Sequence, residues 1–533
     1  MAESEANTTS TDRKEKFSES MPDELLVKQI ISWEKESEDY YSQLKRVWLD
    51  NIDYYKGIQT EVDRLHGRQS KAVENRVWMA VETMIPIATS KLPDIIVKPG
   101  QDDEQSQIDA QDHQDVLAYQ MDRVCTQEKA ERWMRDMILK RYGVFKVKWN
   151  KGIDDVDVEV VDPRRIRIPK HGKSVYALKF TIEDLELSYD SVAKFFGQAK
   201  ANKLIESFTD KETESKRRTN NFIIQEVWTN ETVVWRSGSY ILDKKKNPYY
   251  DFENTDRNFL LEPCKPYIIK SLFETEESLI GETDYVQQVK RIQDNINNRK
   301  RQIENITGKT SNPILLIDSD VMSEEQASNI SNEEGLILYG KDIAKGDKFR
   351  YEAPGQVPEG VFRDLEFSRS EFDNIWGVHS TTRGEREGRE TLGGRQLLRE
   401  ADLGRIDLVA RQLERALDGI AEYWTQLMKL FYTEERAFSI LGEDGARFVK
   451  NFSGAKVSPV KPLIKPGSTL KEDEYAIQQK AILLWQNKAI GLKTLYKMIK
   501  LPDIAGALQD FQATYGQQQE GGGVEPPVPG LGV

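Results

Sequence analysis

The sequence predicts an α+β protein that is mainly α, and three observations carry that reading. Several long stretches repeat apolar residues at the spacing of a helix face. Between them lie β-rich stretches in which apolar and polar residues alternate with a period of two. The 533 residues are 38% hydrophobic, with ten Trp and twenty Tyr, which is enough for sizeable cores, while a charged fraction of 31% leaves a very polar surface.

Both ends read as unstructured. Residues 1–20 hold one aromatic and no Leu, Ile or Val, so they cannot bury enough surface to offset the cost of ordering. Residues 516–533, GQQQEGGGVEPPVPGLGV, are a flexible terminus by composition. The first helix follows from Leu26, Ile30, Trp33, Tyr41, Leu44, Trp48 and Tyr55, with Gly57 as its stop. A second helix is predicted from about Asp112 to Tyr142, ended by Gly143. The period then changes. Phe145, Val147 and Trp149 alternate with Lys146 and Lys148, and Val156, Val158 and Val160 alternate with Asp157 and Glu159. NKG at 150–152 is the turn between them. FIIQEVWTNETVVW at 222–235 predicts another hairpin, turning at Asn230.

From Gly281 the helical period returns. Val286, Val289, Ile292, Ile296, Ile303 and Ile306 make one narrow stripe, and the other faces carry Gln, Asn, Lys290, Arg291, Arg299, Lys300 and Arg301. So narrow a stripe on so long a rod calls for neighbours on its sides. Phe362, Leu365, Phe372, Ile375 and Trp376 predict a further helix. After a glycine-rich segment, Leu398, Ile406, Val409, Leu413, Ala416, Ile420, Trp424, Leu427 and Phe431 mark a helix of about 38 residues, with Gly404 as a kink site. There is no internal repeat.

Charge and cysteine usage exclude several classes. A net charge of −13 argues against a nucleic-acid coat protein, which carries a basic excess. Cys125 and Cys264 are far apart in the chain, so a disulfide framework is not expected and a reducing compartment fits. No apolar run approaches the roughly 18 residues of a membrane span, and the first twenty residues lack the apolar core of a signal peptide, so a soluble protein made in a cytoplasm is expected.

The search for catalysis returns one suggestive triplet. Gly308, Lys309 and Thr310 spell GKT, but a phosphate loop needs a glycine at position 303, where Ile303 stands, and needs a strand before it and a helix after it. Here a helix is expected to precede GKT and a strand-like NPILLID to follow. His66, His113, His171 and His379 are widely separated, and no H-E-x-x-H, C-x-x-C or G-x-S-x-G occurs. No catalytic residue, metal site or cofactor is expected. The most unusual segment is GVHSTTRGEREGRETLGGRQLLREADLGR at 377–405, where Gly384, Gly388, Gly393 and Gly394 are interleaved with Arg383, Glu385, Arg386, Glu387, Arg389 and Glu390. A mobile loop of balanced charge suits weak contact with a moving polyanion; the alternative is a solvated connector.

In order, the features resemble the portal proteins of tailed bacteriophages. The patterns that carry the resemblance are WLDNIDYYKGIQ (48–59), NRVWMAVETMIPIATSKLPDIIVKPG (75–100), GVFKVKW with VDVEVVDPRRIRI, GETDYVQQVKRIQDNINNRKRQI (281–303) and APGQVPEGVFRDLEFSRSEFDNIWGV (353–378), followed by the Gly/Arg/Glu loop and the long helix. None is specific alone; their succession is. The resemblance implies a portal fold with wing, stem, clip and crown, assembled as a ring, usually of twelve copies, around a central channel. It implies a wing over 21–280 whose β-rich part is 143–275, a first stem helix over 281–306, a clip over 307–355 and a second stem helix over 356–376. It further implies a tunnel loop over 377–394, a long kinked helix over 395–433, return strands of the wing over 434–475 and crown helices over 476–515. On this reading Arg383, Glu385, Arg386, Glu387, Arg389 and Glu390 face the channel, and Arg299, Lys300, Arg301 and Lys309 form a basic surface of stem and clip. Implied partners are further copies of the chain, double-stranded DNA bound without sequence specificity, the large terminase subunit, capsid and scaffolding proteins, and head-completion, neck or tail adaptors. The implied location is one capsid vertex of the virion, reached from the host cytoplasm during assembly. Another head–tail adaptor ring, a nucleotide hydrolase using GKT, and a monomeric helical binding module are the competing readings.

Overall fold

The computed structural model describes residues 17–59, 70–91, 94–207, 221–274, 278–311, 315–321, 323, 325–326, 337–342, 349–351, 357–379, 392–441, 447–454, 460–465, 474–499, 506–508 and 511. Helix α1 (Asp23–Lys56) buries Leu26, Ile30, Trp33, Tyr41, Leu44 and Trp48 along one side and stops at Gly57, whose φ of 83° is the left-handed conformation that glycine reaches without strain. Of the tail expected over 1–20, residues 17–20 are described and make contacts with the body of the protein. Phe17 packs on Trp33 with ring centroids 4.8 Å apart, and Glu19 accepts a hydrogen bond from the Lys246 amide at 2.8 Å. Residues 1–16 lie outside the described residues.

Helix α2 (Arg76–Ala88) is capped by Asn75, which accepts from the Trp78 amide. After strand β1 (Ile95–Pro99) come α3 (Glu104–Val124) and α4 (Gln127–Lys140), two helices in place of the single one expected from Asp112 to Tyr142. Asp103 caps the first, which moves its start upstream. Thr126, extended at φ −64° and ψ 154°, caps the second by accepting from the Lys129 amide. Gly143 is not the helix stop: Arg141 takes the left-handed position at φ 73°. A Cβ at Gly143 would lie 2.5 Å from the Trp133 ring, so this glycine admits a tryptophan rather than ending a helix.

Strands β2 (Tyr142–Asn150) and β3 (Asp155–Val161) form the expected hairpin. β4 (Ile166–Arg167), β5 (Thr181–Ser188), then helices α5 (Tyr189–Phe196) and α6 (Gln198–Ser207), lead to β6 (Asn221–Trp228), β7 (Thr232–Ser237) and β8 (Tyr240–Lys246). The second expected hairpin turns at Asn230 between β6 and β7, and β9 (Tyr267–Ser271) follows. The strands make a three-stranded sheet, β3-β2-β9, and a five-stranded antiparallel sheet, β4-β5-β6-β7-β8.

Alternation in β2 places Phe145 and Val147 against α4, where Trp133 stacks on Phe145 at 5.3 Å and 2°. Trp149, expected inward with them, is half-buried at the sheet's end and stacks on Phe431 at 4.7 Å. The opposite face is covered as well. Tyr142 and Val144 join a second core with Trp48, Ile166, Trp228 and Val233. Lys146 is therefore buried between the sheets, where its Nζ donates to Glu183 Oε2 at 2.7 Å and Glu226 Oε2 at 2.9 Å. Tyr267 donates to Glu183 at 2.9 Å and Trp228 Nε1 to Glu226 at 2.6 Å. Lys148, further along, stays half-exposed and pairs with Glu159 at 2.8 Å.

The remaining elements are α7 (Tyr285–Ser311), β10 (Leu315–Asp318), β11 (Ile337–Gly340), β12 (Phe349–Tyr351), α8 (Glu359–Trp376), α9 (Leu392–Phe431), β13 (Arg436–Leu441), β14 (Arg447–Phe452), β15 (Val460–Ile464), α10 (Glu474–Gln486) and α11 (Leu492–Met498). β10 pairs parallel to β11 and antiparallel to β12; β13 pairs with β14, and β15 closes on β1. α9 is the central beam. It runs unbroken through Gly404 and buries Ile406, Val409, Leu413, Ala416, Ile420, Trp424 and Leu427. At Gly419 a Cβ would stand 3.1 Å from Ile268, so the helix lies close against β9. The architecture is mixed α and β and predominantly helical, and the described strands form no barrel. Among the described residues no helix is long and apolar enough to cross a membrane.

Candidate functional site

Helices α7 and α8 pack side by side and antiparallel, because their stripes face each other and polar side chains fix the register. Asn295 Nδ2 donates to Ser368 Oγ at 2.8 Å and to Asp364 at 3.2 Å, and Arg299 Nε donates to Asp364 at 2.5 Å. The hydrogen bonds from Arg299 and then Asn295 hold the Asp364 carboxyl below its usual range. Val286, Val289 and Ile296 of α7 and Phe372 and Trp376 of α8 are fully enclosed, with Tyr285 stacked on Trp376 at 5.1 Å. Toward its C-terminal end α7 leaves the core, and Ile303 and Ile306 are only half-buried. At 1.5 Å per residue this 27-residue helix spans roughly 40 Å.

Three of the four residues expected to form a basic surface here are engaged by other parts of the chain. Arg299 is bound to Asp364, and Lys300 Nζ lies 3.8 Å from Glu74. Arg301 is buried at 8% exposure and donates to the Ala72 carbonyl at 3.0 Å, so it is a structural cation and not a surface one. Their partners sit on segments remote in sequence, which no local pattern reveals. The side chain of Lys309 lies outside the described residues.

The triplet GKT lies inside the last turn of α7, not after the helix as the spacing suggested. Thr310 Oγ1 donates to the Ile306 carbonyl at 2.9 Å, as a helical threonine does, and β10 follows. Helix before strand is the reverse of a phosphate loop. Among the described residues no group of three or more His, Cys, Asp or Glu could hold a metal ion.

α8 ends at Gly377, with φ 80°, and a Cβ there would collide with the Arg405 side chain. Arg405 Nη1 donates to the carbonyls of Asn374 and Ile375, the latter at 3.0 Å, satisfying C-terminal acceptors of α8 from α9. From Arg405 back to Leu392, α9 continues for roughly 20 Å. The connection between the two helices is thus held at its root by a glycine and an arginine. Arg383, Glu385, Arg386, Glu387, Arg389 and Glu390, the expected channel residues, lie outside the described residues.

α8 also presents aromatic rings that the protomer does not cover. Phe362 is 46% and Phe367 69% exposed. With 100° per residue, Phe362 stands roughly 70° to one side of the seam formed by Val361, Leu365, Phe372 and Trp376, and Phe367 roughly 150° to the other. The helix carries apolar surface on both flanks.

No curated protein matches the chain. The family model described as phage P22-like portal protein matches residues 237–465, which span β8 to β15 and include both antiparallel helices, the segment between them, the Gly/Arg/Glu loop and the long helix α9. Portal proteins are structural, non-enzymatic components of the virion. That match, laid over the same succession of helices, supports a phage portal protein: residues 237–465 are similar to the P22-like portal family.

Proposed function

We propose that the protein assembles into a ring, of about twelve copies, at one vertex of a phage capsid, and that genomic DNA enters and leaves the head through its channel. The observation that carries the ring is the pair of exposed phenylalanines on opposite flanks of α8. A closed ring is built from head-to-tail contacts, in which each copy offers two different faces to two neighbours. Exposed rings on both flanks of one helix fit that requirement, whereas a two-fold dimer would cover a single patch. In this reading α7 and α8 form the stem, 307–355 the clip that meets terminase and later the head-completion or tail proteins, and 21–280 the wing with β13–β15 returning to it. Helices α10 and α11 belong to the crown.

The loop over 377–394 would line the narrow part of the channel. Arg383, Arg386 and Arg389 would stand near phosphates, while Glu385, Glu387 and Glu390 limit their hold. DNA bound through many basic contacts has a steep salt dependence and resists sliding. Balanced charge avoids that, and with Arg299, Lys300 and Arg301 engaged inside the protomer the stem adds little attraction of its own. The test is Phe367→Glu. Because Phe367 is mostly exposed, the variant should fold with an unchanged circular dichroism spectrum yet sediment as smaller species than the native protein. A variant that still forms the native assembly would remove this flank from the subunit contact.

A further inference from the structure

Residues 70–75 lie alongside α7, just before α2, and side chains of α7 hold their backbone. Four side chains on one face of α7, at 293, 297, 301 and 305, bind the backbone of this strap and not its side chains. Asn305 Oδ1 accepts from the Ser70 amide at 2.7 Å, and Arg301 Nε donates to the Ala72 carbonyl at 3.0 Å. Asn297 Oδ1 accepts from the Glu74 amide at 2.9 Å. Gln293 donates to the Glu74 carbonyl at 2.7 Å and accepts from the Arg76 amide at 3.3 Å. The spacing has a geometric cause: one rung per four helical residues advances roughly 6 Å, and two residues of extended chain advance roughly 6.6 Å. Every second residue of the strap therefore meets a rung.

We propose that this polar ladder is a main-chain-binding site on α7, and that its occupant, the strap 70–75, detaches as a unit without opening the hydrophobic core. Two observations support separate opening. Residues 70–75 belong to none of the hydrophobic clusters, and all are half-buried or exposed. Each rung is only one or two hydrogen bonds, whereas the flanking α2 is anchored by Val77, Val81, Met84 and Ile85, all fully buried. The strap also ties in α8. Arg369 holds Glu74 with bonds of 2.9 and 2.5 Å, and Arg76 reaches Asp373 at 2.5 Å. While the strap is seated, α2, α7 and α8 are fixed to one another; when it lifts, the two long helices are released from that tie, Lys300 and Arg369 lose Glu74, which they share, and Arg301 loses the Ala72 carbonyl.

Amide hydrogen exchange on the full-length protein in its native assembly tests this. Ser70, Glu74 and Arg76 amides should exchange more slowly than those of Lys71 and Val73, which no rung holds. Asn297→Ala should accelerate exchange at Ser70, Glu74 and Arg76 together, by roughly tenfold or more, with Ala80 to Ile85 unchanged. Asn305→Ala, at the half-buried end of the ladder, repeats the test where folding is least at risk and should accelerate Ser70 most. Acceleration of the α2 core in the same proportion would show that the strap opens only with the core and would overturn the proposal. So would an unchanged rate at Glu74 in Asn297→Ala, because the rung would then contribute nothing.

Discussion

Lys146 offers the sharpest test of how the two sheets are joined. Its ammonium is buried at 9% exposure between Glu183 and Glu226, which are 1% and 6% exposed. Burial alone would lower its pKa, but the two carboxylates outweigh burial and raise it. A raised ammonium pKa contributes stability that is complete below the ordinary lysine range and lost only at strongly alkaline pH, so the native protein should show no pH dependence from this group near neutrality. Lys146→Met keeps most of the side-chain volume and removes the charge. It strands two carboxylates together in a site they share with Tyr267 and Trp228. Removing one partner of a buried ion pair costs about 3–5 kcal/mol. Here two acids are left facing each other, which places the expected loss at the upper end. The assay is urea unfolding of native and variant protein across pH. Because one shared proton relieves the repulsion of two stranded carboxylates, the difference between the proteins should shrink as pH falls from 7 toward 5. A loss below 1 kcal/mol at pH 7, or a difference independent of pH, would refute the arrangement.

Other outcomes follow from the same reasoning. His113 is fully buried, its Nε2 2.9 Å from Thr425 Oγ1 and its ring against Phe452; burial lowers its pKa to about 4. Thr425 donates its own proton to the Ala421 carbonyl, so the imidazole is neutral with its proton on Nε2. Its contribution is complete above pH 6.5 and is lost as pH falls toward about 4, by about 3 kcal/mol at most, and His113→Leu should abolish that part of the acid slope in a stability–pH titration. Gly377→Ala should cost about 1–2 kcal/mol from the left-handed backbone alone, with further loss from the displaced Arg405; an unchanged melting temperature would contradict the root geometry of the loop. Replacing Arg383, Arg386 and Arg389 together with alanine should leave assembly intact and impair DNA packaging or retention, and a normal yield of particles with full-length genomes would remove the loop from the channel.

The helices and hairpins were legible because apolar periodicity reports on burial directly. The stripe of α7 and the alternation of β2 are both visible in the sequence, and the ordered succession of short patterns carried the resemblance to portal proteins that the match over 237–465 supports. What escaped was polar or structural in origin. The break at Cys125–Thr126 carries neither Gly nor Pro, and a threonine cap looks like any other threonine. Gly143 resembled a helix stop, yet its role is to make room for Trp133 from the previous helix. Lys146 read as one lysine of a polar face because sequence alternation cannot say that a second sheet covers that face. Arg301 and the ladder produced no signal, since amide and guanidinium side chains at every fourth position look like a solvated stripe until the strap is found lying on it.

The central claim is that this chain works as a ring, and a mass measurement joined to an image of the same sample tests it most directly. Twelve copies of 61.4 kDa amount to roughly 740 kDa, and light scattering or native mass spectrometry of the purified full-length protein should report a mass near that value. Negative-stain images of that sample should show rings with a central hole wide enough for the roughly 20 Å of a DNA duplex. A protein that stays at 61.4 kDa across the micromolar range, or that forms two-fold dimers without a channel, would contradict the account.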